Sequence, residues 1–136
     1  MDLALLILRV VGAVIMIAHG FPKWPNRERL AQKWAKDGMR SSRLVLVLVY
    51  LVEVPGGVAY GAGFLTEWAS LAMLVLMLGM TWWSVFVARE SLVSITSKGY
   101  DVNLALIALF LATALAGGGA YSLDALLGIS PFWPFR

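Results

Sequence analysis

The chain has 136 residues, of which 60% are hydrophobic and 14% charged, with a formal net charge of +3 and no cysteine. Its length fits one domain, and its composition excludes an ordinary soluble domain; a mean hydropathy of +0.80 points to an integral membrane protein. Without cysteine, disulfides, thiol redox chemistry and iron–sulfur ligation by this chain are excluded, and a single histidine excludes bis-histidine haem within one copy.

Four apolar runs reach or approach the ~20 residues that a helix needs to cross a bilayer. They are residues 3–21, 44–65, 68–88 and 102–116, and they predict an all-α, four-helix transmembrane bundle. The first run has neither the basic start nor the small-residue cleavage site of a signal peptide. Wound as a helix, it puts Arg9, Gly12, Met16, His19 and Lys23 within an arc of roughly 80°. Such a stripe cannot face lipid, so it must face protein, water or a ligand.

Pro22 and Pro25 end that helix, with Trp24 between them at interface depth. Residues 26–38 then predict a short helix with Asn26 and Gly38 as its caps. Leu30, Ala31, Trp34 and Ala35 share one face and Arg29, Lys33, Lys36 and Arg40 the other. That is the pattern of an interfacial helix on anionic lipid; a solvated charged loop is the bland alternative.

The second run carries Glu53 beside Pro55, Gly56 and Gly57, with Gly61 one turn after Gly57. Small residues at this spacing let membrane helices approach closely, within a chain or between two copies. Matching the midpoints of the first two runs puts Arg9 at the depth of Glu53 and predicts a buried Arg9–Glu53 pair. Either charge alone near the bilayer centre costs about 2.5–3.5 kcal/mol. Pro55 frees the carbonyl of Leu51, a further acceptor for the guanidinium. The pair reads first as a structural lock on helix register and second as a proton-coupled gate or anion clamp.

Thr66 and Glu67 read as the tight turn into the third run, where Met73, Met77, Met80 and Ser84 form one stripe. Methionines at helical spacing most often fill gaps, and they can also wall an apolar pocket. Trp82 and Trp83 stand where belt tryptophans are expected. Residues 90–100 form a polar connector, and Asp101 reads as the cap of the fourth run, whose Ala108, Ala112 and Ala116 offer another close-packing stripe. Gly117, Gly118 and Gly119 end it, Ser122 to Asp124 can start a short helix, and the aromatic tail 130–136 reads as interfacial.

With four spans, Lys23, Arg27, Arg29, Lys33, Lys36, Arg40, Arg43, Arg89 and Lys98 fall on one side, against Arg136 on the other. The positive-inside rule puts the basic loops in the cytoplasm and both termini outside. The basic excess reads as attraction to membrane lipids and partner proteins, with no nucleic-acid motif beside it. No metal site is expected from this chain, so a redox role would use a diffusible quinone or a partner's cofactor.

Several of these motifs, in this order, resemble the DoxX/DoxD family of small four-span membrane proteins. They are an early arginine in the first span (Arg9), His-Gly-x-x-Lys at its end (His19, Gly20, Lys23) and Glu-x-x-Gly-Gly in the second (Glu53, Gly56, Gly57). Gly-Tyr-Asp-x-Asn before the fourth span (Gly99 to Asn103) and Gly-x-Gly-x-Tyr-Ser-Leu-Asp after it (Gly117 to Asp124) complete the set. The resemblance implies a four-helix transmembrane bundle. It also implies association with membrane redox assemblies, since the family is named for a subunit of an archaeal thiosulfate:quinone oxidoreductase, while distant relatives look like assembly factors or chaperones.

Three readings of function follow. In the first, the chain is a membrane subunit of a quinone-linked oxidoreductase, with the head group near His19 and Lys23 and its tail on Met77 and Met80 beside Ser84. A histidine can donate to a quinone carbonyl and exchange the proton that reduction requires; equally, His19 can simply cap its helix end. In the second, it is a non-catalytic anchor, assembly factor or chaperone whose basic loop docks a partner. In the third, it is a small-solute or ion carrier using Arg9 and Glu53, helped by homo-oligomerisation through Gly57 and Gly61.

Overall fold

The structure, a computed structural model, describes residues 1–93 and 99–129. Lys98 and the aromatic tail 130–136 with Arg136 lie outside the described residues. The described chain forms α1 (Asp2–Gly20), a 3-10 turn (Phe21–Lys23), α2 (Arg27–Lys36), α3 (Ser42–Glu53), α4 (Pro55–Ala62), α5 (Thr66–Phe86), α6 (Asp101–Ala116) and α7 (Leu123–Leu127). Three segments are long and apolar enough to cross a membrane: Asp2–Lys23, Ser42–Ala62 and Thr66–Phe86. α6 adds a fourth apolar helix of 16 residues, ~24 Å long. Together they make an all-helical transmembrane bundle. Around it runs a belt of exposed Leu, Ile, Val and Phe, including Ile7, Val14, Leu48, Val75 and Leu111, that water would not tolerate and lipid does.

The second span is two helices. Pro55 starts α4, and its missing N–H breaks the ladder at Val54. α1 packs on α4 and α6, and α5 packs on α6, α4 and α3. The core between them holds Met16, Tyr60, Met73, Met77, Leu106 and Phe110. The Tyr60 hydroxyl donates to Thr113 Oγ1 at 3.1 Å, and Ser70 Oγ lies 3.1 Å from the same oxygen. These fully buried polar groups join α4, α5 and α6 where no water can serve them.

Gly57 and Gly61 act inside the chain. A Cβ on Gly57 would stand 2.9 Å from Ile17 Cγ1, and one on Gly61 would stand 2.8 Å from Ala13 Cβ. The glycines seat α1 against α4, so that face is taken and does not offer a surface for a second copy. Ala108, Ala112 and Ala116 are exposed, and α6 instead buries Leu106, Phe110, Thr113 and Ala114. Equal spacing did not distinguish the two stripes; bulky neighbours on α6 decide its inner face.

The ends of elements follow the sequence closely, with two shifts. α2 is present, Asn26 precedes it, and Gly38 follows it with φ +92°. Ser122 caps α7 by accepting from the Ala125 N–H. Thr66 and Glu67, however, are the first turn of α5, and the reversal lies at Gly63–Phe64–Leu65. Asp101 is the first helical residue of α6 rather than its cap.

Replacing Gly61 by valine should therefore overpack the α1–α4 contact and cost about 1–3 kcal/mol. Gly79 is the control: a Cβ there meets nothing within 4 Å. Gly79→Ala should be neutral or slightly stabilising, and thermal unfolding in detergent reads both.

Candidate functional site

The α1–α4 contact fixes what lies at each end of the bundle. Gly61 faces Ala13, Gly57 faces Ile17, and continuing down the pair Gly20 faces Glu53, whose Cβ would be 2.7 Å from a Cβ on Gly20. Glu53 is therefore at the end of α1, eleven residues from Arg9, which is ~16 Å along a helix. The predicted Arg9–Glu53 pair does not form. Matching span midpoints misplaced it because α3 starts beyond the end of α1, where it packs on α2.

Both carboxylate oxygens of Glu53 instead accept from Lys23 Nζ. The lysine sits in the 3-10 turn that Pro22 imposes after α1, one turn beyond Gly20. The two side chains are 18% and 4% exposed, so the pair is largely withdrawn from solvent. The His-Gly-x-x-Lys and Glu-x-x-Gly-Gly motifs thus meet as one unit. Gly20 admits Glu53, Lys23 neutralises it, and Gly57 admits Ile17.

Above this pair opens a cavity of about 1230 Å³ at the basic end of the bundle. It gathers every ligand-binding residue proposed from the sequence: His19, Lys23, Met77, Met80 and Ser84. Met16 and Leu106 extend the apolar part, while Arg29, Lys33, Asp101 and Asn103 supply polar walls. His19 is exposed toward it, whereas Met77 and Ser84 are buried parts of its lining. Gly56 is not in the lining; it packs near the Leu51 carbonyl and Met73. Among the described residues, no three His, Asp or Glu side chains converge as a metal site would require.

The apolar and basic faces of α2 divide as the sequence pattern predicts, and the basic face borders the cavity. Ala31 is buried, Leu30 and Trp34 are half-buried, and α2 packs on α3. Arg29, Lys33 and Lys36 line the cavity. Trp24 stacks with Tyr50, ring centroids 4.9 Å apart, and carries the Arg27 guanidinium 5.1 Å from its ring centre.

Arg9 is fully buried at the far end. Its guanidinium donates to Gly61 O at 3.2 Å and to Tyr121 O at 2.5 Å. Gly61 belongs to the last turn of α4, where the Ala59 and Tyr60 carbonyls accept from Phe64 and Gly63 N–H while that of Gly61 accepts from Arg9 at the negative end of the helix dipole. Leu51 O plays no part in holding Arg9. Gly63, with φ +72°, leaves room for the guanidinium; any Cβ there would collide with it and with Ser122.

Asp124 completes this end, and reading by sequence alone gave it only a helix-start role. Its carboxylate accepts from Leu65 N at 2.7 Å, Thr66 N at 2.8 Å and Thr66 Oγ1 at 2.7 Å. It thereby caps α5 from 58 residues away. It also holds Leu65, which sits in the left-handed region at φ 47°. The one available signal was the Tyr-Ser-Leu-Asp run after the fourth span, too polar to be left idle beside a buried arginine.

A double-mutant cycle separates the two pairings. Glu53→Gln or Lys23→Met alone should destabilise by up to about 3–5 kcal/mol, and the double variant should regain much of the loss. Arg9→Gln combined with Glu53→Gln should be additive within about 0.5 kcal/mol, as for sites that do not touch. Coupling between Arg9 and Glu53 in detergent melts would restore the pair this geometry separates.

The DoxX family model matches residues 4–86, from α1 through α5. The chain is 30% identical over 127 residues to inner membrane protein YqjF of Escherichia coli (strain K12), a match covering 93% of each chain. It is 27% identical over 125 residues to inner membrane protein YphA of the same organism, covering 88% of this chain and 87% of that one. No solved structure gives a significant match.

Proposed function

The chain belongs to the DoxX family of membrane proteins, and from that premise we propose that it is the membrane component of a quinone-linked oxidoreductase assembly. Its basic-end cavity receives the quinone head group. One observation carries this reading: the donors and the soft apolar side chains that such a ligand needs open onto a single space. A quinone presents two carbonyl acceptors on a flat apolar ring. Lys23 and Ser84 are donors on the cavity wall, His19 can donate a hydrogen bond or a proton, and Met16, Met77 and Met80 conform to a ring or isoprenoid tail. The Lys23–Glu53 pair keeps a charge-balanced polar floor beneath them. Electrons come from and go to redox partners at the membrane.

A second reading, a non-catalytic anchor or assembly factor for a partner protein, is favoured by Arg27, Arg40 and Arg43, which are exposed and lie off the cavity. The carrier reading loses support, because Arg9 and Glu53 are held by separate partners at separate depths. We place the basic end in the cytoplasm on the positive-inside rule.

After purification in mild detergent, wild-type protein should retain quinone, and His19→Ala should lower bound quinone and quinone-dependent turnover while melting normally. Equal quinone retention and turnover in the two proteins would move the assignment to the anchor. For orientation, a cysteine at the exposed Ser41 should react with an impermeant reagent from the cytoplasmic side. Reaction from outside would invert the topology and carry the cavity to the other leaflet.

A further inference from the structure

The cavity is larger than a quinone head group requires. At about 1230 Å³ it exceeds the ~300–1,000 Å³ usual for small-molecule sites. One of its walls is also cationic in a regular way. Arg29, Lys33 and Lys36 stand at i, i+4 and i+7 of α2 and line the space with the amides of Asn26 and Gln32. Like charges at this spacing repel one another. The ion pairs Lys23–Glu53 and Arg43–Glu28 engage other cations and leave these three out. The acids of the cavity lie elsewhere: Glu53 is bonded to Lys23, and Glu90 and Asp101 flank the α5–α6 connection.

We infer that the α2 wall of the cavity is a subsite for a phosphate-type anion, held by Arg29, Lys33 and Lys36. It deepens the quinone reading, since it rests on the same cavity. An anion there relieves the repulsion along α2. The guanidinium offers a two-pronged bond, the ammonium groups add point charges, and the Asn26 and Gln32 amides are neutral donors. Glu90 and Asp101 keep the anion on the α2 wall. The apolar lining of Met16, Met77, Met80 and Leu106 continues from the subsite into the bundle. A membrane phospholipid satisfies both parts with its head group and chain; free phosphate satisfies the first alone.

The test uses the full chain, stripped of lipid in detergent. Its melting temperature is followed against phosphatidylglycerol, phosphatidylcholine or inorganic phosphate. Phosphatidylglycerol should stabilise it in a salt-sensitive manner and phosphatidylcholine should not. The triple change R29Q/K33Q/K36Q should weaken phosphatidylglycerol about tenfold or more. The triple change R27Q/R40Q/R43Q removes the same charge from outside the cavity and should leave binding intact. The double change K33Q/K36Q serves if the first triple variant folds poorly, with a smaller loss in the same direction. Stabilisation by phosphate equal to that by the lipid also supports the subsite and makes its ligand soluble. Equal response to the two lipids, or equal loss in the two triple variants, overturns it. Quinone retention is measured separately in the same preparations. Lost quinone with an intact lipid response would sink only the quinone reading; retained quinone with no anion response would sink only the subsite.

Discussion

The close approach of α1 to α4 is the constraint from which both ends of this bundle follow. Two helices with no hydrophobic drive between them in lipid must gain from contact itself, and contact is closest where side chains are smallest. Gly57 against Ile17 and Gly61 against Ala13 fix the axial register to within a residue. Once that register is set, Glu53 has to lie beside Gly20 and Arg9 beside Gly63. The polar groups of the chain are then divided into two sites that share a helix and little else.

Two cations along one stripe of α1 are accommodated by different physics. Lys23, at the end of the helix, has a carboxylate from α3 in direct contact and neutralises it. Arg9, in the span, uses backbone carbonyls at the end of α4 and in the segment before α7. Its charge lies where the α4 dipole is negative, so a helix end does part of what a carboxylate would do. Asp124 is thereby left to cap α5, and its three hydrogen bonds hold the turn that brings α4 into α5. Placing Arg9 with Glu53 would have left Lys23 and the Gly61 and Tyr121 carbonyls each to find another partner.

Spans and caps were legible in the sequence because they depend on local pattern. Apolar runs gave the four helices, Pro22 marked the end of α1 and Ser122 announced α7, whereas the break at Pro55 was not foreseen: that proline was read only as freeing the Leu51 carbonyl. The cavity residues were legible as types: a histidine, a lysine, methionines and a serine at helical spacing. Register was not, because it depends on which small residues meet. Gly57 and Gly61 had the same spacing as Ala108 and Ala112, yet the glycines are at a helix contact and the alanines are exposed. The Tyr60–Thr113–Ser70 cluster was invisible for a related reason. Each is an ordinary residue within its own helix, and they acquire a role only when α4, α5 and α6 come together. The amphipathic pattern of α2 was read correctly, but the cavity beside its basic face was not foreseen: a helix with an apolar and a basic face fits lipid and a protein cavity equally well.

The two ends differ in a way that bears on what the protein can do. At the far end, added side-chain atoms find no room. A Cβ on Gly118 would lie 2.7 Å from Ser122 Cβ and 2.8 Å from Thr66 Oγ1, and one on Gly63 would meet Arg9 and Ser122. Hydrogen bonds from Arg9 and to Asp124 tie this end to the segment after α6. At the basic end the helices part around a space lined by α2, by the ends of α1 and α5 and by the start of α6. The break at Pro55 contributes to that difference, because α3 can follow α2 while α4 stays against α1. Passage of a solute through the bundle would require the Arg9 and Asp124 contacts to open while a buried arginine lost its acceptors, a costly step. Binding from the basic side requires no such step. The architecture therefore leaves space at one end of the bundle and closes the other.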